Sequence, residues 1–359
     1  MMKRKVIING VGSCIPERVV KNEDFLGSEF YQENGEPFTA DNLEIIQKFE
    51  KITGIKERRY ANNNENASDL AAKAAQRAID NSNIEGEDLD YIIVAHNFGD
   101  ISPDSNRIDM MPSLAARVKH KLGIQNPGTS CYDVIFGCPG WVQGSIQAYQ
   151  MIAMGDADNV MVIGAETLSR IVDKHDRDSM IFSDGAAATI FQAAAEDVDG
   201  GVLSQASRTD ANAEVDYLAM GASNHPGKQN GAKYIKMKGR KIYEYALVNV
   251  ADAIKCAMDK AGVTLGEVDK ILIHQANEKM DEAILKKLFK VCKEQKPMEE
   301  LMPMTIQTLG NSSVATIPTM LDLIQEKKLE NHLISSGDVL VFASVGAGMH
   351  INAMVYKVP

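Results

Sequence analysis

The 359-residue chain predicts an α/β fold of two similar halves, and three features carry that prediction. Short apolar runs such as Tyr91–Ala95, 160–163 and 271–273 alternate with longer segments whose apolar residues recur at helical spacing. That is the pattern of strands buried on both faces and joined by helices. Laying residues 71–97 on 250–276, a constant shift of 179, pairs Ala78 with Ala257, Asp80 with Asp259 and Asp88-Leu89 with Glu267-Val268. The same shift, with no gap, pairs Ile92-Ile93-Val94 with Ile271-Leu272-Ile273. Both segments read helix, turn, buried strand, which points to duplication. Third, reactive side chains stand where these strands end, the place where open α/β sheets gather ligands.

The elements follow in order. Residues 5–12 predict a strand, 22–26 a short helix stopped by Gly27, and the polar, turn-rich 29–41 a flap. Helices are expected at 43–51 and, alanine-rich, at 67–81, before the strand Tyr91–Ala95. A helix at 112–122 precedes a short strand from Asp133 that turns into a helix running to Met154, then strands at 160–163 and, after Ser183-Asp184-Gly185, up to Phe191. Residues 205–232, irregular and polar, are expected to connect the halves, divided as 1–200 and 201–359. The second half opens with a helix at 242–260 and a strand at 271–273. A basic helix to about Lys296, a helix after Asn311, and strands at 339–343 and 349–356 follow.

Composition narrows the function. An apolar fraction of 45% supplies a large core, and a net charge of −11 argues against nucleic acid as a partner. No apolar run reaches membrane-spanning length, and the opening Met-Met-Lys-Arg-Lys-Val-Ile-Ile breaks at Asn9-Gly10, so it reads as a strand rather than a signal segment. Five cysteines, an odd count without metal-ligand spacing, fit a reduced cytoplasmic setting with no metal.

The chemistry centres on Cys138 in Asp133-Val-Ile-Phe-Gly137-Cys138-Pro139-Gly140. Pro139 suits the first position of a helix, so the thiol faces unpaired N–H groups and the positive end of the helix dipole, which favour thiolate. Gly137 and Gly140 flank the sulfur and leave room for another molecule. The alternative is an inert, buried cysteine. His274 directly follows a buried strand, and Asn311 stands in Gly310-Asn311-Ser312-Ser313 before a helix; by default the first is a structural histidine and the second an N-cap. Residues 228–241 hold six positive and no negative side chains, and a second basic cluster covers 279–296: solvated faces, or a docking surface for an acidic partner.

Cys138 in Asp-Val-x-x-x-Cys-x-Gly, His-Gln-Ala-Asn at 274–277, Gly-Asn-Ser-Ser at 310–313, Ser-Asp-Gly at 183–185 and Gly-Ala-Gly at 346–348 occur in this order. So ordered, and with Thr53-Gly-Ile-Lys-Glu-Arg58 and Met111-Pro-Ser-Leu-Ala-Ala116, the chain resembles β-ketoacyl-acyl-carrier-protein synthase III, a branch of the thiolase-like condensing enzymes. The resemblance spans essentially the whole chain. It implies a five-layered αβαβα fold of two duplicated halves, a homodimer, and a Cys138-His274-Asn311 triad without cofactor. Cys138 would take an acyl group as a thioester from acyl-CoA or an acyl carrier protein, then undergo decarboxylative Claisen condensation with a malonyl-carrier in fatty acid biosynthesis. His274 and Asn311 would hold the enolate oxygen; the backbone N–H groups of Cys138 and Ala347 would hold the other oxyanion. Lys279 aligns with a carrier-docking residue, and Lys238, Arg240, Lys286 and Lys287 extend that patch. Met111 would either reach into the partner's acyl pocket or pack the interface, while Asn277 and Arg177 would line the substrate pocket.

Two departures qualify the resemblance. Lys48 stands where members that load from acyl-CoA often carry a tryptophan, which favours loading from a carrier protein. The flap at 29–41 and the 292–307 connection suggest a specialised substrate. The alternatives are a specialised-metabolite synthase of the same fold, alkylresorcinol-type or for longer chains, an acyltransferase to oxygen or nitrogen, and a carrier-binding protein without catalysis. A thiolase proper is disfavoured because Gly346-Ala-Gly348-Met349-His350 offers no second catalytic cysteine.

Overall fold

The computed structural model describes residues 4–103, 105–228 and 231–359; Met1 to Lys3, and Gln229 and Asn230 of the basic segment, lie outside the described residues. The first sheet holds β1 (Val6–Cys14), β2 (Tyr91–Ala95), β3 (Ser130–Val134), β4 (Asn159–Thr167) and β5 (Asp184–Ala193), in the order β1-β5-β4-β2-β3. Strand β2 runs parallel to β3 and β4, while β5 is antiparallel to both β4 and β1. The second sheet holds β6 (Gly201–Thr209), β7 (Lys270–Ile273), β8 (Val339–Gly346) and β9 (His350–Lys357), ordered β6-β9-β8-β7. Its β7 and β8 are parallel and the other pairs antiparallel, so β6, β9, β8 and β7 repeat β1, β5, β4 and β2.

Local chemistry repeats with the topology. The 3-10 turn Gly86–Asp88 falls, after the shift of 179, on Leu265–Glu267. Each is opened by the same capping box, Glu85 with Asp88 and Thr264 with Glu267, in which side chains satisfy N–H groups that the turn leaves free.

Helices α1 (Asn42–Thr53), α2 (Ala67–Asp80), α3 (Leu114–Leu122), α4 (Gly140–Met154), α5 (Gly239–Ala261), α6 (Glu278–Cys292) and α7 (Thr316–Gln325) complete the frame. The pleat of each central strand feeds two cores. In β4, Met161, Ile163 and Ala165 face α2 and α3, while Val160 and Val162 face α4 and α7. In β8, Val341, Ala343 and Val345 face α5 and α6, while Leu340 and Phe342 join the same α4–α7 layer. The layers are therefore α, β, α, β, α, the five-layered thiolase-like arrangement. Trp141 of α4 locks the middle, edge-on to Phe342 at 5.6 Å and tilted against Phe191 at 6.5 Å, one ring from each sheet.

Several elements differ from expectation. Strand β3 ends at Val134, because Gly137 turns at φ 63° and the chain must swing toward α4. Residues 205–232 are not simply irregular: β6 takes 201–209, and Leu218–Gly221 pairs with Tyr234–Met237 as a hairpin. Being an edge strand, β6 tolerates Ser204, Gln205, Ser207 and Arg208, which hide it in the sequence. The basic helix stops at Cys292, where Lys293 adopts φ 58°, and the 292–307 connection contains two helical turns, Met298–Leu301 and Ile306–Leu309.

Candidate active site

Cys138 sits where the first sheet hands over to α4, one residue before Pro139, the N-cap. The anchor for this turn is Asp133. Its carboxylate accepts the N–H groups of Leu114 and Ala115 at 2.7 and 2.8 Å, and His96 Nε2 lies 2.9 Å away. Because His96 Nδ1 accepts the Gly99 N–H, Nε2 carries the hydrogen and donates to Asp133.

The turn after β3 packs backbone to backbone against the loop after β8. A Cβ on Gly346 would stand 2.4 Å from the Cys138 nitrogen, and one on Gly137 would stand 2.6 Å from the Ala347 nitrogen. Glycine at both places lets the two loops pack this closely, with the Cys138 nitrogen against Gly346 and the Ala347 nitrogen against Gly137. Phe136 stacks on His350 at 4.0 Å and holds the two loops together from outside.

The three polar candidates meet at Ser313. Asn311 is joined to the Ser183-Asp184-Gly185 turn by a bridge: its N–H donates to Ile181 O, and its own carbonyl accepts from Ser183. Its side chain is not a helix N-cap; Oδ1 accepts the Ser313 N–H at 2.8 Å, a turn contact two residues on that leaves the NH2 end as a donor. His274, buried after β7, has the Ser313 backbone as a neighbour that favours its charged form, and its Nδ1 has no partner. The Ser313 hydroxyl and the Cys138 thiol line the same cavity, and the hydroxyl favours the thiolate form of the sulfur. Ser313 does all this at φ 54°, a left-handed conformation that costs a residue with a Cβ about 1–2 kcal/mol and persists only where its surroundings impose it.

Burial dominates the electrostatics. It pushes the Cys138 thiol up to about 11; the Ser313 hydroxyl opposes this, the Glu166 charge adds to it, and the residue's own N–H pulls back. Desolvation likewise lowers His274 to about 4, against the Ser313 backbone bond. The resting pair is thus a neutral thiol and a neutral imidazole, not the thiolate expected from the helix N-terminus: exclusion of water outweighs the dipole.

Cys138, Ser313 and Ala347 line a cavity of about 170 Å³ whose other walls include Phe98, Phe182 and the 218–221 hairpin strand. His274 and Asn311 do not line it and reach it through Ser313. A second cleft, about 330 Å³, holds the expected pocket residues Arg177 and Asn277, with Arg240 at its rim. Arg177 is already engaged, bonding Asp178 at 2.8 Å with Phe38 of the flap 5.9 Å from its guanidinium. Asn277 caps α6 by accepting the Met280 N–H. Lys238 and Lys279 are exposed beside this cleft, whereas Lys286 lies farther down α6 in another depression, paired with Glu282, and Lys287 is half-buried. Met111, 85% exposed, contributes to neither cavity. A larger polar cleft between Arg18 and Tyr234 contains none of the candidate residues.

Ser313, Asn97 and Glu166 are the site residues that sequence reasoning missed. Glu166 was marked by a carboxylate within an otherwise apolar strand, Val160-Met-Val-Ile-Gly-Ala-Glu166.

A sulfur set beside paired backbone donors, at the seam of two duplicated halves, is how thiolase-like condensing enzymes are built, and this chain is an acyltransferase of that class. Sequence narrows it further. Residues 132–211 match the family model for 3-oxoacyl-[acyl-carrier-protein] synthase III, and 258–358 match that family's C-terminal model. The chain is 34% identical to β-ketoacyl-[acyl-carrier-protein] synthase III of Clostridium acetobutylicum over 98% of each chain. It is 30% identical to the Cereibacter sphaeroides protein of that name over 99% of this chain and 100% of the relative. It belongs to the 3-oxoacyl-[acyl-carrier-protein] synthase III family. Among solved structures, the Aquifex aeolicus VF5 3-oxoacyl-[acyl-carrier-protein] synthase III superposes with a TM-score of 0.79 at 28% identity, covering 98% of this chain and 99% of the other. The Pseudomonas aeruginosa PAO1 protein, at 24% identity, TM-score 0.81 and 99% coverage of both chains, shares the fold.

Proposed function

We propose that the protein performs the priming condensation of fatty acid biosynthesis, joining a short acyl group to a malonyl unit on acyl carrier protein, with Cys138, His274 and Asn311 as its catalytic residues and no metal or redox cofactor. The acyl thioester gives its acyl group to the Cys138 sulfur, and the donor's thiol leaves with the sulfur's proton. Malonyl-carrier then loses carbon dioxide; the resulting enolate carbon attacks the acyl carbonyl, a C–C bond forms, and the Cys138 sulfur leaves. Negative charge passes through two oxygens, one held by the Cys138 and Ala347 N–H groups and the other stabilised from the Ser313 side of the cavity, behind which His274 and the Asn311 NH2 lie. A neutral imidazole suits the second role, since as a fixed donor it needs no proton from solvent. The observation that carries this reading is the convergence of the thiol, the imidazole and the carboxamide on one strained serine.

Substrate preferences follow from the walls. A cavity of about 170 Å³ favours a short acyl chain, well below the roughly 300 Å³ of pockets for larger ligands. The engagement of Arg177 by Asp178 and Phe38, together with Lys48 at the place where acyl-CoA-loading members often carry a tryptophan, favours loading from a carrier protein over a nucleotide-bearing donor. Lys238, Arg240 and Lys279 ring the 330 Å³ cleft as the acidic carrier's landing site, with Lys286 and Lys287 extending it. Exposed Ile108, Met110, Met111 and Ile135, the last directly after the edge strand β3, suit a homodimer, working in the cytoplasm.

Following carbon dioxide release from labelled malonyl-carrier tests the assignment. Asn311→Ala and His274→Ala should still form the acyl-Cys138 adduct while release falls about a hundredfold or more. Acyl transfer to another acceptor without carbon dioxide release would replace condensation by simple acyl transfer.

A further inference from the structure

We propose that Glu166 is a positioning residue for Cys138: by fixing the Asn97 amide it makes the Ser313 hydroxyl a hydrogen-bond donor aimed at the sulfur. The proposal rests on Cys138 being the group that is acylated. Glu166, 1% exposed, lies near the end of β4, and Asn97 follows β2 on the neighbouring strand. The Asn97 backbone N–H donates to Glu166 Oε1 at 3.0 Å, and Asn97 Nδ2 bonds the same oxygen. Because the backbone donor is fixed, Oε1 is an acceptor whether or not the other oxygen holds a proton. The amide must therefore turn its NH2, not its carbonyl, to that side.

The same NH2 reaches Ser313 Oγ at 3.2 Å. With that lone pair occupied, the Ser313 hydrogen is free to point elsewhere, and the Cys138 sulfur lines the same small cavity as Ser313 and Asn97, where the hydroxyl favours its thiolate. The left-handed backbone of Ser313 and its bond to Asn311 hold the hydroxyl in place. Without the acceptor at 166 the amide can flip, offer its carbonyl to Ser313 and take the hydrogen away from the sulfur. The other titratable groups around this relay are His274 on the Ser313 backbone, Asp184 next to Glu166, and the His96–Asp133 pair at the ends of β2 and β3. The negative charge of Glu166 acts on the sulfur with the opposite sign, so a test has to separate position from charge.

Two variants do so. Glu166→Gln drops the charge and keeps the acceptor; Glu166→Met drops both. Alkylation of Cys138 by iodoacetamide, read on the Cys138 peptide by mass spectrometry between about pH 6 and 10, reports the thiolate. Glu166→Met should react about fivefold more slowly than Glu166→Gln throughout, the size of one net hydrogen bond, and the two should coincide in a Ser313→Ala background. Equal rates for the two variants with Ser313 present overturn the proposal, as does a difference that survives Ser313→Ala. Should Glu166→Met not fold, Asn97→Ala breaks the relay in the middle: a loss of about fivefold against wild type supports it, and an unchanged rate overturns it. Alkylation needs no acyl transfer. A protein whose alkylation follows this pattern but which gains no acyl adduct sinks the proposed function and leaves the relay standing.

Discussion

Replacing Gly346 by alanine tests the oxyanion geometry with one methyl group. Gly346 has φ −166°, extended backbone that any residue adopts, so the substitution strains no torsion and acts only through space. The new Cβ would lie 2.4 Å from the Cys138 nitrogen, 2.7 Å from Pro139 Cδ and 3.0 Å from Cys138 Cβ. Reaching ordinary contact near 3.4 Å requires the two loops to part by roughly 1 Å, and both neighbours are backbone or ring atoms that cannot swing aside. A donor displaced by that much no longer meets the oxyanion, so kcat should fall about 10²–10³-fold. Over-packing of this kind costs about 1–3 kcal/mol, so thermal unfolding should shift by only a few degrees. Gly27→Ala, where a Cβ meets nothing within 4 Å, is the control and should match wild type. The assay is turnover with a small acyl thioester beside thermal unfolding of each variant. A Gly346→Ala protein with kcat within about threefold of wild type would refute the placing of the Cys138 N–H in the oxyanion site.

Three further outcomes follow from the same geometry. With the thiol pushed up to about 11 and His274 down to about 4, alkylation of Cys138 should rise about tenfold per pH unit from pH 7 to beyond 9; a plateau near neutrality would mean a resting thiolate. Asp281 is fully buried with both carboxyl oxygens unpartnered, and burial raises its pKa well above the usual value. The folded protein therefore keeps a proton that the unfolded chain releases near pH ~4, and stability declines as pH rises above that, by up to ~1.4 kcal/mol per unit. Asp281→Asn should gain thermal stability over wild type between pH 5 and 8, and parallel curves would contradict this. Lys279→Glu with Arg240→Glu should raise KM for a carrier-bound substrate about tenfold at low salt, leave kcat with a small thioester unchanged, and lose its effect in high salt.

The frame and the three reactive residues were legible because their signals are local. Short apolar runs set between segments of helical spacing marked the strands around Tyr91–Ala95 and 271–273, and the shift of 179 exposed the duplication, down to paired capping boxes. Cys138, His274 and Asn311 stood out because each follows a strand or precedes a helix. Ser313, Asn97 and Glu166 did not, since their roles exist only where the ends of β2 and β4 meet the 310–313 loop. The thiol's low acidity was misread for a related reason: the dipole of α4 is visible in the sequence, while the burial that outweighs it belongs to the assembled fold. Strand β6 escaped because an edge strand with one polar face looks like a loop.

The most direct test of the account is the mass of the Cys138 peptide after brief exposure to a short acyl thioester, followed by a chase with malonyl-carrier. The account predicts an acyl adduct on Cys138 that disappears on the chase with one carbon dioxide released per adduct lost. An unmodified Cys138, or an adduct that persists while malonyl-carrier is decarboxylated, would contradict it.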